Sequence, residues 1–435
     1  MTANASDLSA DVSPSAWRNA AAWTKAADIA VVLMAISLPW STSLVAIFAV
    51  AWLVFLIPAA ERRDFSNFLS RPACWVPILL FALAALGILW AADIPWATRF
   101  HSLGQVAKLL AIPVLILHFE KSGRGVWVAI GFFASCAVVL LLSWVMFIDP
   151  RVMTGSSGIT GVPVKNTIAQ AQEFTLCAFG SLGAAMYALS RGMKRTALVL
   201  GLLAFGFVTN MVFVSNSRTA LVCVPILFVL FVGMFFSRRM ALSLVVVAIV
   251  ASVVAWNTSP YLRFRVEGAL SEYQAYRATN VATSTGQRLE FWRKSLKFFE
   301  AAPVLGHGTG STRTLFERDA VGQTGVSAEV IANPHNQTLN VAVQWGAVGV
   351  VLLYLMWIAH LRMFIGRDGL FAWIGLAAVA QNFFSSLLNS HLFDFTEGWI
   401  YVLAVGVAGG MVSAASRGQI ATSTQAHAYL HAGQA

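Results

Sequence analysis

The sequence predicts an all-α polytopic membrane protein with about twelve transmembrane helices and one large extracytoplasmic helical loop. Three observations predict it. Hydrophobic residues make up 58% of the 435-residue chain and charged residues only 11%, against roughly 25% charged in an ordinary soluble domain. Apolar windows of bilayer length recur along the chain. One long polar interval, Ser259 to Trp345, interrupts them and holds nine of the 29 Lys and Arg residues. A chain built only to span has no use for such a segment, so it reads as a water-facing platform against the bilayer.

The N-terminal stretch is polar and lacks the short apolar core and small-residue cleavage site of a signal peptide, so the first apolar run reads as a retained span. Spans fall near 26–41, 43–59, 74–91, 104–118, 126–148, 167–189, 196–214, 219–236, 240–256, 336–361, 370–388 and 397–414, by apolar run length. The chain thus divides into a bundle of nine spans (1–256), a loop with amphipathic helices (257–335), three further spans (336–416) and a tail (417–435) expected to be disordered. His427 and His431 in that tail read as solvated. No internal repeat of the kind that marks many transporters is visible.

An even span count puts both termini on one side. With the N-terminus cytoplasmic, that side's segments hold fifteen Lys and Arg, and the short loops opposite hold four: Arg99, Arg151, Lys165 and Arg218. The positive-inside rule therefore places both termini in the cytoplasm and the long loop outside. The net charge of +10 reports this orientation and not a nucleic-acid partner. Cys74, Cys136, Cys177 and Cys223 lie in apolar runs without a Cys-x-x-Cys pair, so neither a disulfide framework nor a cysteine metal site is indicated.

Ionisable residues inside spans are costly. Lys108 and Glu173, with Gln170 and Gln172 beside it, either pair across the bundle, line a wet cavity or border a substrate groove. Within the loop, Thr285 to Glu300 reads as a helix capped by Ser284 or Thr285. Leu289, Phe291, Trp292, Leu296, Phe298 and Phe299 form one apolar arc, with Glu290, Arg293, Lys294 and Lys297 opposite. Such a helix lies in the membrane interface or against the bundle. Arg288 falls inside the arc and needs an anionic partner, either a carboxylate such as Glu173 or Asp394, or a phosphate, which suits the guanidinium fork.

Gly306-His307-Gly308-Thr309-Gly310 lacks the Lys and Ser/Thr of a nucleotide P-loop and reads as a flexible connector, with His307 a weak candidate. His335, in Asn333-Pro334-His335-Asn336, stands at a helix start on the outer membrane surface. There it is either an interfacial histidine or a group for proton transfer or anion contact. A lone His without Cys or carboxylate companions is a poor metal site. Arg218, in Ser215-Asn216-Ser217-Arg218-Thr219, lies on the same surface as an anchor or, together with other cations, as part of a diphosphate site. Arg265, Lys165 and Asn166 are weaker candidates of that kind, followed by Arg99.

Ser-x-Ser-Arg-Thr (215–219), Arg288 ahead of an aromatic helix, and Pro-His-Asn-x-x-Leu (334–339) leading into Gln344-Trp345-Gly346 together resemble the O-antigen ligase family. Its superfamily includes O-antigen polymerases and O-linked oligosaccharyltransferases. The motifs cover roughly 215–350, and the many-span layout with one large late loop covers the rest. The resemblance implies metal-independent, inverting transfer of a glycan from undecaprenyl diphosphate to a sugar hydroxyl of lipid A–core, at the periplasmic face of a bacterial inner membrane. No cofactor is implied, and no Asp-x-Asp metal motif occurs. By motif, His335 activates the acceptor hydroxyl while Arg288 and Arg218 hold the diphosphate. Arg265, Lys165 and Asn166 are secondary donor contacts, and Asn336, Glu173, Arg99, Lys108 and His307 form an outer tier. A polymerase or protein ligase uses the same chemistry on another acceptor; a lipid-linked sugar transporter is the reading of a different class.

Overall fold

The computed structural model describes residues 20–59, 70–91, 93–149, 151, 159–215 and 217–432, with the side chains of 59, 261, 262, 265 and 419–432 left aside. Asn216 and the side chain of Arg265 therefore lie outside the described residues. Sixteen α-helices carry the described chain, which contains no strand. They are α1 (Ala20–Ser37), α2 (Thr42–Leu56), α3 (Pro72–Leu86), α4 (Trp96–Ala107), α5 (Ala111–Ser122), α6 (Val126–Ile148), α7 (Thr167–Ser190), α8 (Lys194–Phe213), α9 (Arg218–Phe235) and α10 (Arg238–Thr258). Three loop helices follow, α11 (Pro260–Thr279), α12 (Ser284–Ala301) and α13 (Ser311–Ala320). The chain closes with α14 (Gln337–Phe364), α15 (Leu370–Ser385) and α16 (Phe395–Ala432). A helix stands at each of the twelve apolar windows.

Eight helical segments are long and apolar enough to cross a membrane, α4 and α5 forming one of them, while α2, α3 and α15 are shorter apolar helices. α7 is long but polar at Gln170, Gln172 and Glu173. Its polar side chains pair across the bundle: Gln381 Nε2 donates to Gln172 Oε1 at 2.8 Å and Gln170 Nε2 to the Gly161 carbonyl at 3.0 Å. Burial without such partners costs several kcal/mol, about 2–7, per group. At the α5–α6 end of the bundle, Asp28 receives His118 at 2.9 Å and Arg124 at 3.0 Å, and Glu120 receives Arg71 at 2.8 Å. These pairs tie α1, α3 and α5 at the end remote from the long loop. α16 continues to Ala432 through the tail expected to be disordered.

The loop packs as a small unit with its own core of Phe291, Phe298, Phe316 and Val343. Thr283, one residue before the expected caps, accepts a hydrogen bond from the Gly286 amide at 3.1 Å and caps α12. The expected face of α12 is corrected as well. Glu290 and Lys294 are buried while Leu296 is exposed. Periodicity assumes one wet side, but α12 is packed by α11, the 325–328 turn and α14, so its polar side is also covered. Glu290 accepts from Tyr276 Oη and Ser327 Oγ, each at 2.9 Å, and from Arg293 Nη2 at 2.6 Å. The hydrogen bonds from Arg293 lead, and against the cost of burial they hold its carboxyl at about 2. Lys294 reaches Asp319 at 2.9 Å.

The glycine-rich stretch is docked, not a free connector. α14 breaks at Trp345 and Gly346, and the 303–310 segment fills the break. The Ala347 amide donates to the Pro303 carbonyl at 2.8 Å, and the His307 and Gly308 amides donate to the Val343 and Gln344 carbonyls at 2.9 and 2.8 Å. Backbone groups released by the break are thereby satisfied. Gly346 has φ +60 and ψ −158, a conformation essentially restricted to glycine, and an added Cβ would lie 2.2 Å from the Val304 carbonyl oxygen. Gly346→Ala is accordingly expected to lower the thermal midpoint sharply, with the backbone strain alone costing about 1–3 kcal/mol. An unchanged midpoint in detergent would contradict this account of the break.

Candidate functional site

Three helix starts meet where the loop joins the bundle: α9 at Arg218, α12 at Ser284 and α14 at Gln337. Amides at a helix start carry partial positive charge, so their convergence favours an anion. Asn336 caps α14, its Oδ1 accepting from the Leu339 amide at 3.0 Å while its Nδ2 donates to the Leu387 carbonyl at 2.9 Å. Its role is to fix the helix start and the 386–394 segment that faces it.

His335 precedes that cap with φ +53, a left-handed conformation uncommon outside glycine. Its amide donates to Asn333 Oδ1 at 2.9 Å, and Ser390 Oγ donates to the same oxygen at 2.6 Å. The strained backbone turns the imidazole over Phe291, with ring centroids 6.3 Å apart at 29°. His335 Nδ1 lies 3.1 Å from Asn389 Oδ1. With the Asn389 amide oxygen presented to it, Nδ1 donates and Nε2 keeps its lone pair. Burial foremost, and then the Arg288 cation, lower the His335 pKa below the ordinary 6.5, partly opposed by the Asn389 hydrogen bond. Near neutral pH this ring is a neutral base with a free acceptor nitrogen.

Arg288, half-buried one turn into α12, makes no hydrogen bond or ion pair among the described residues. Burial and the neighbouring Arg218 charge lower its pKa, and Glu272 opposes them. Neither carboxylate considered from sequence is its partner: Glu173 stands 4.0 Å from Lys165 Nζ, and Asp394 faces Asn333 Nδ2 at 3.5 Å. Arg218 is held in place, Nη2 donating to Glu272 Oε1 at 2.7 Å and Nη1 to Thr285 Oγ1 at 3.1 Å. Glu272 Oε2 in turn accepts from the Thr285 amide at 2.9 Å. One carboxylate thus fixes one arginine and caps α12, leaving Arg288 without a bonded counter-ion among the described residues.

Glu272, Asn389 and His391 were not singled out from sequence. The one available signal was the polar run Asn389-Ser390-His391 between two apolar windows. His391 is fully buried, and neither ring nitrogen has a partner. Burial first, then the Arg288 and His335 charges, push it down to about 3, so it is neutral.

The remaining candidates stand elsewhere. Lys165 Nζ donates to the Leu38 carbonyl and to Thr396 Oγ1, and Asn166 caps α7. Arg99 stacks on Trp96 and donates to the Ile94 and Ile88 carbonyls at 2.8 and 2.9 Å, clamping its own connection. Lys108 Nζ donates to the Phe393 and Asp394 carbonyls, and His307 Nε2 to the Phe298 carbonyl. These side chains are engaged elsewhere, and none bonds to Arg288 among the described residues. No group of three His, Cys, Asp or Glu among the described residues is placed to hold a metal.

Residues 201–354, about a third of the chain, match the family model described as O-antigen ligase. The matched stretch contains Arg218, Glu272, Arg288 and His335, and ends before Asn389 and His391. No curated protein matches the chain. The stretch that carries Arg218, Arg288 and His335 is thus similar to the O-antigen ligase family, and eight helical segments among the described residues are long and apolar enough to cross a membrane.

Proposed function

We propose that the protein is a membrane glycosyltransferase that moves a glycan from undecaprenyl diphosphate to a sugar hydroxyl of lipid A–core on the periplasmic face of the inner membrane. The observation that carries this reading is the pairing of an unengaged basic nitrogen, His335 Nε2, with an unpaired cation, Arg288. The acceptor hydroxyl gives its proton to Nε2 as its oxygen bonds to the anomeric carbon. The bond from that carbon to the diphosphate breaks, and the electron pair leaves with the diphosphate. Attack from the face opposite the leaving group inverts the anomeric centre. Fixed donors at Arg288 and Arg218 stabilise the developing charge without reorganisation, and a diphosphate leaves without a strong acid. The histidine then releases its proton to water or to the departing diphosphate.

The reaction needs no metal in this scheme. Purified protein in liposomes with donor, lipid A–core and chelator is expected to give glycosylated lipid A–core. Elongated lipid-linked glycan alone would instead mean a polymerase, and movement of donor across the bilayer without transfer would mean a transporter. The strongest candidates, His335, Arg288 and Arg218, gather at one surface while only Lys108 and Glu173 lie deep, which favours the enzyme over the transporter.

The lowered His335 pKa sets a pH dependence. The neutral ring is the active form, so kcat/KM rises with pH through a value below 6.5 and is level near neutrality. A profile that instead rises through a value at or above 6.5 would contradict this assignment.

A further inference from the structure

The end of the bundle remote from the long loop holds a cleft of about 500 Å³ between α3 and α14, backed by Ile116 of α5 and Ser413 of α16. The two helices fix its position along the bundle. α14 starts at the loop and carries Arg362 in its last turn. α3 starts at Pro72 and ends beside the loop, where the Thr309 amide donates to the Gly87 carbonyl at 3.0 Å. Arg71 and Arg362 therefore stand at one end of the bundle, away from the candidate site.

Sequence spacing shapes the cleft. Leu355, Ile358 and Arg362 fall at i, i+3 and i+7 on one face of α14, and Arg71 and Trp75 fall at i and i+4 where α3 begins. Leu355 and Ile358 are exposed at 43% and 42%. The walls thus pass from apolar side chains within the helices to two guanidinium groups at their ends. α14 is long and apolar enough to cross a membrane, so the apolar part faces hydrocarbon and the arginines sit at the level of the headgroups.

The charges at that end do not balance. Arg71 Nη1 and Nη2 donate to Glu120 at 2.8 and 3.0 Å, and Arg417 Nε donates to the same carboxylate at 2.9 Å. One buried carboxylate serves two arginines, and a positive charge is left over. Arg362 adds another, being exposed and without a hydrogen bond or ion pair among the described residues. Of the described residues that line the cleft, two are arginines and none is a carboxylate.

We propose that this cleft seats one anionic glycerophospholipid of the leaflet remote from the loop, with its phosphate between Arg71 and Arg362 and an acyl chain along Leu355 and Ile358. The inference stands apart from the glycosyltransferase reading and needs no part of it. The order of the walls, cations and then an apolar face, is the order of phosphate and tail in such a lipid. In a bilayer the tail gains little hydrophobic free energy by leaving lipid for protein, so the headgroup sets the preference. A zwitterionic headgroup brings its own cation to a site with positive charge to spare, whereas a headgroup of net negative charge cancels that surplus. Each basic side chain near the surface is worth about fivefold in affinity for an anionic lipid.

The test uses the full chain in phosphatidylcholine liposomes with a minor share of one acyl-brominated lipid, either phosphatidylglycerol or phosphatidylcholine. Quenching of Trp75 is read as the difference between each protein and its Trp75→Phe counterpart. Brominated phosphatidylglycerol is expected to quench Trp75 at a lower mole fraction than brominated phosphatidylcholine. Arg362→Ala is expected to lower that preference about fivefold, and Arg362→Lys, which keeps the charge, to recover most of it. Arg362→Gln gives the same reading as alanine should Arg362→Ala fail to fold. Arg239→Ala, at an exposed cation where α10 begins and outside the cleft, is expected to keep the wild-type preference. Equal quenching by the two lipids overturns the proposal. So does an equal loss in Arg362→Ala and Arg239→Ala, which would mean attraction to the membrane surface at large. Loss of the preference on adding inorganic phosphate at constant ionic strength would assign the cations to a free anion. Displacement by a polyprenyl phosphate as readily as by unlabelled phosphatidylglycerol would assign the cleft to another lipid, and either result overturns it as well.

Discussion

His335→Ala is expected to lower glycan transfer by about 10²–10⁴-fold, the range typical of a positioned general base, while donor binding stays near wild type. The ring touches the site through Nε2 and is fixed by Asn389 through Nδ1, so its loss removes proton acceptance without removing a cation. His335→Gln is the sharper companion. A glutamine can hydrogen-bond to the acceptor hydroxyl but cannot take its proton, so it should be nearly as slow as alanine. Turnover within a few-fold of wild type in both variants would take His335 out of the chemistry and return it to an interfacial role.

Arg288→Ala is expected to cost about 10²–10³-fold in rate, as removal of one donor to a developing charge does, and to weaken donor binding as well. Because Arg288 is not half of an ion pair, its removal strands no buried carboxylate, and the thermal midpoint should move little. Arg288→Lys keeps the charge but not the planar fork and should recover only part of the loss. A second readout follows from the electrostatics. The Arg288 cation lowers the His335 pKa, so in Arg288→Ala the rising limb of the pH profile should shift toward higher pH, with burial still holding it below the ordinary value. A large fall in the midpoint with unchanged donor affinity and an unmoved profile would mean that Arg288 serves the fold.

Much of the architecture was legible in the sequence, because apolar run length reports the medium around a helix: a helix stands at each predicted window, and eight helical segments among the described residues are long and apolar enough to cross a membrane. His335 was legible because Asn-Pro-His-Asn stands directly before an apolar run, where a polar start needs a reason. Arg288 was legible because a cation in an apolar arc is a conflict that only an anion resolves. The neighbours of these residues were not legible. Periodicity cannot tell water from a covering helix, so Glu290 and Lys294 read as solvated although α11, α14 and the 325–328 turn bury them. Run length likewise cannot show that a glycine-rich segment enters a break in another helix.

The sequence by itself determined the all-helical membrane class, the long loop before α14, and the residue types available for anion and proton chemistry, since these follow from composition, period and turn residues acting locally. Only the tertiary structure decided which charges cancel. Glu272 lies 54 residues from Arg218 and 16 from Arg288, yet it binds the first and leaves the second free. Lys165, Lys108 and Arg99 are spent on carboxylate or carbonyl partners brought by other segments. Charge compensation depends on separations of a few ångströms between distant stretches, and that distance is set by packing.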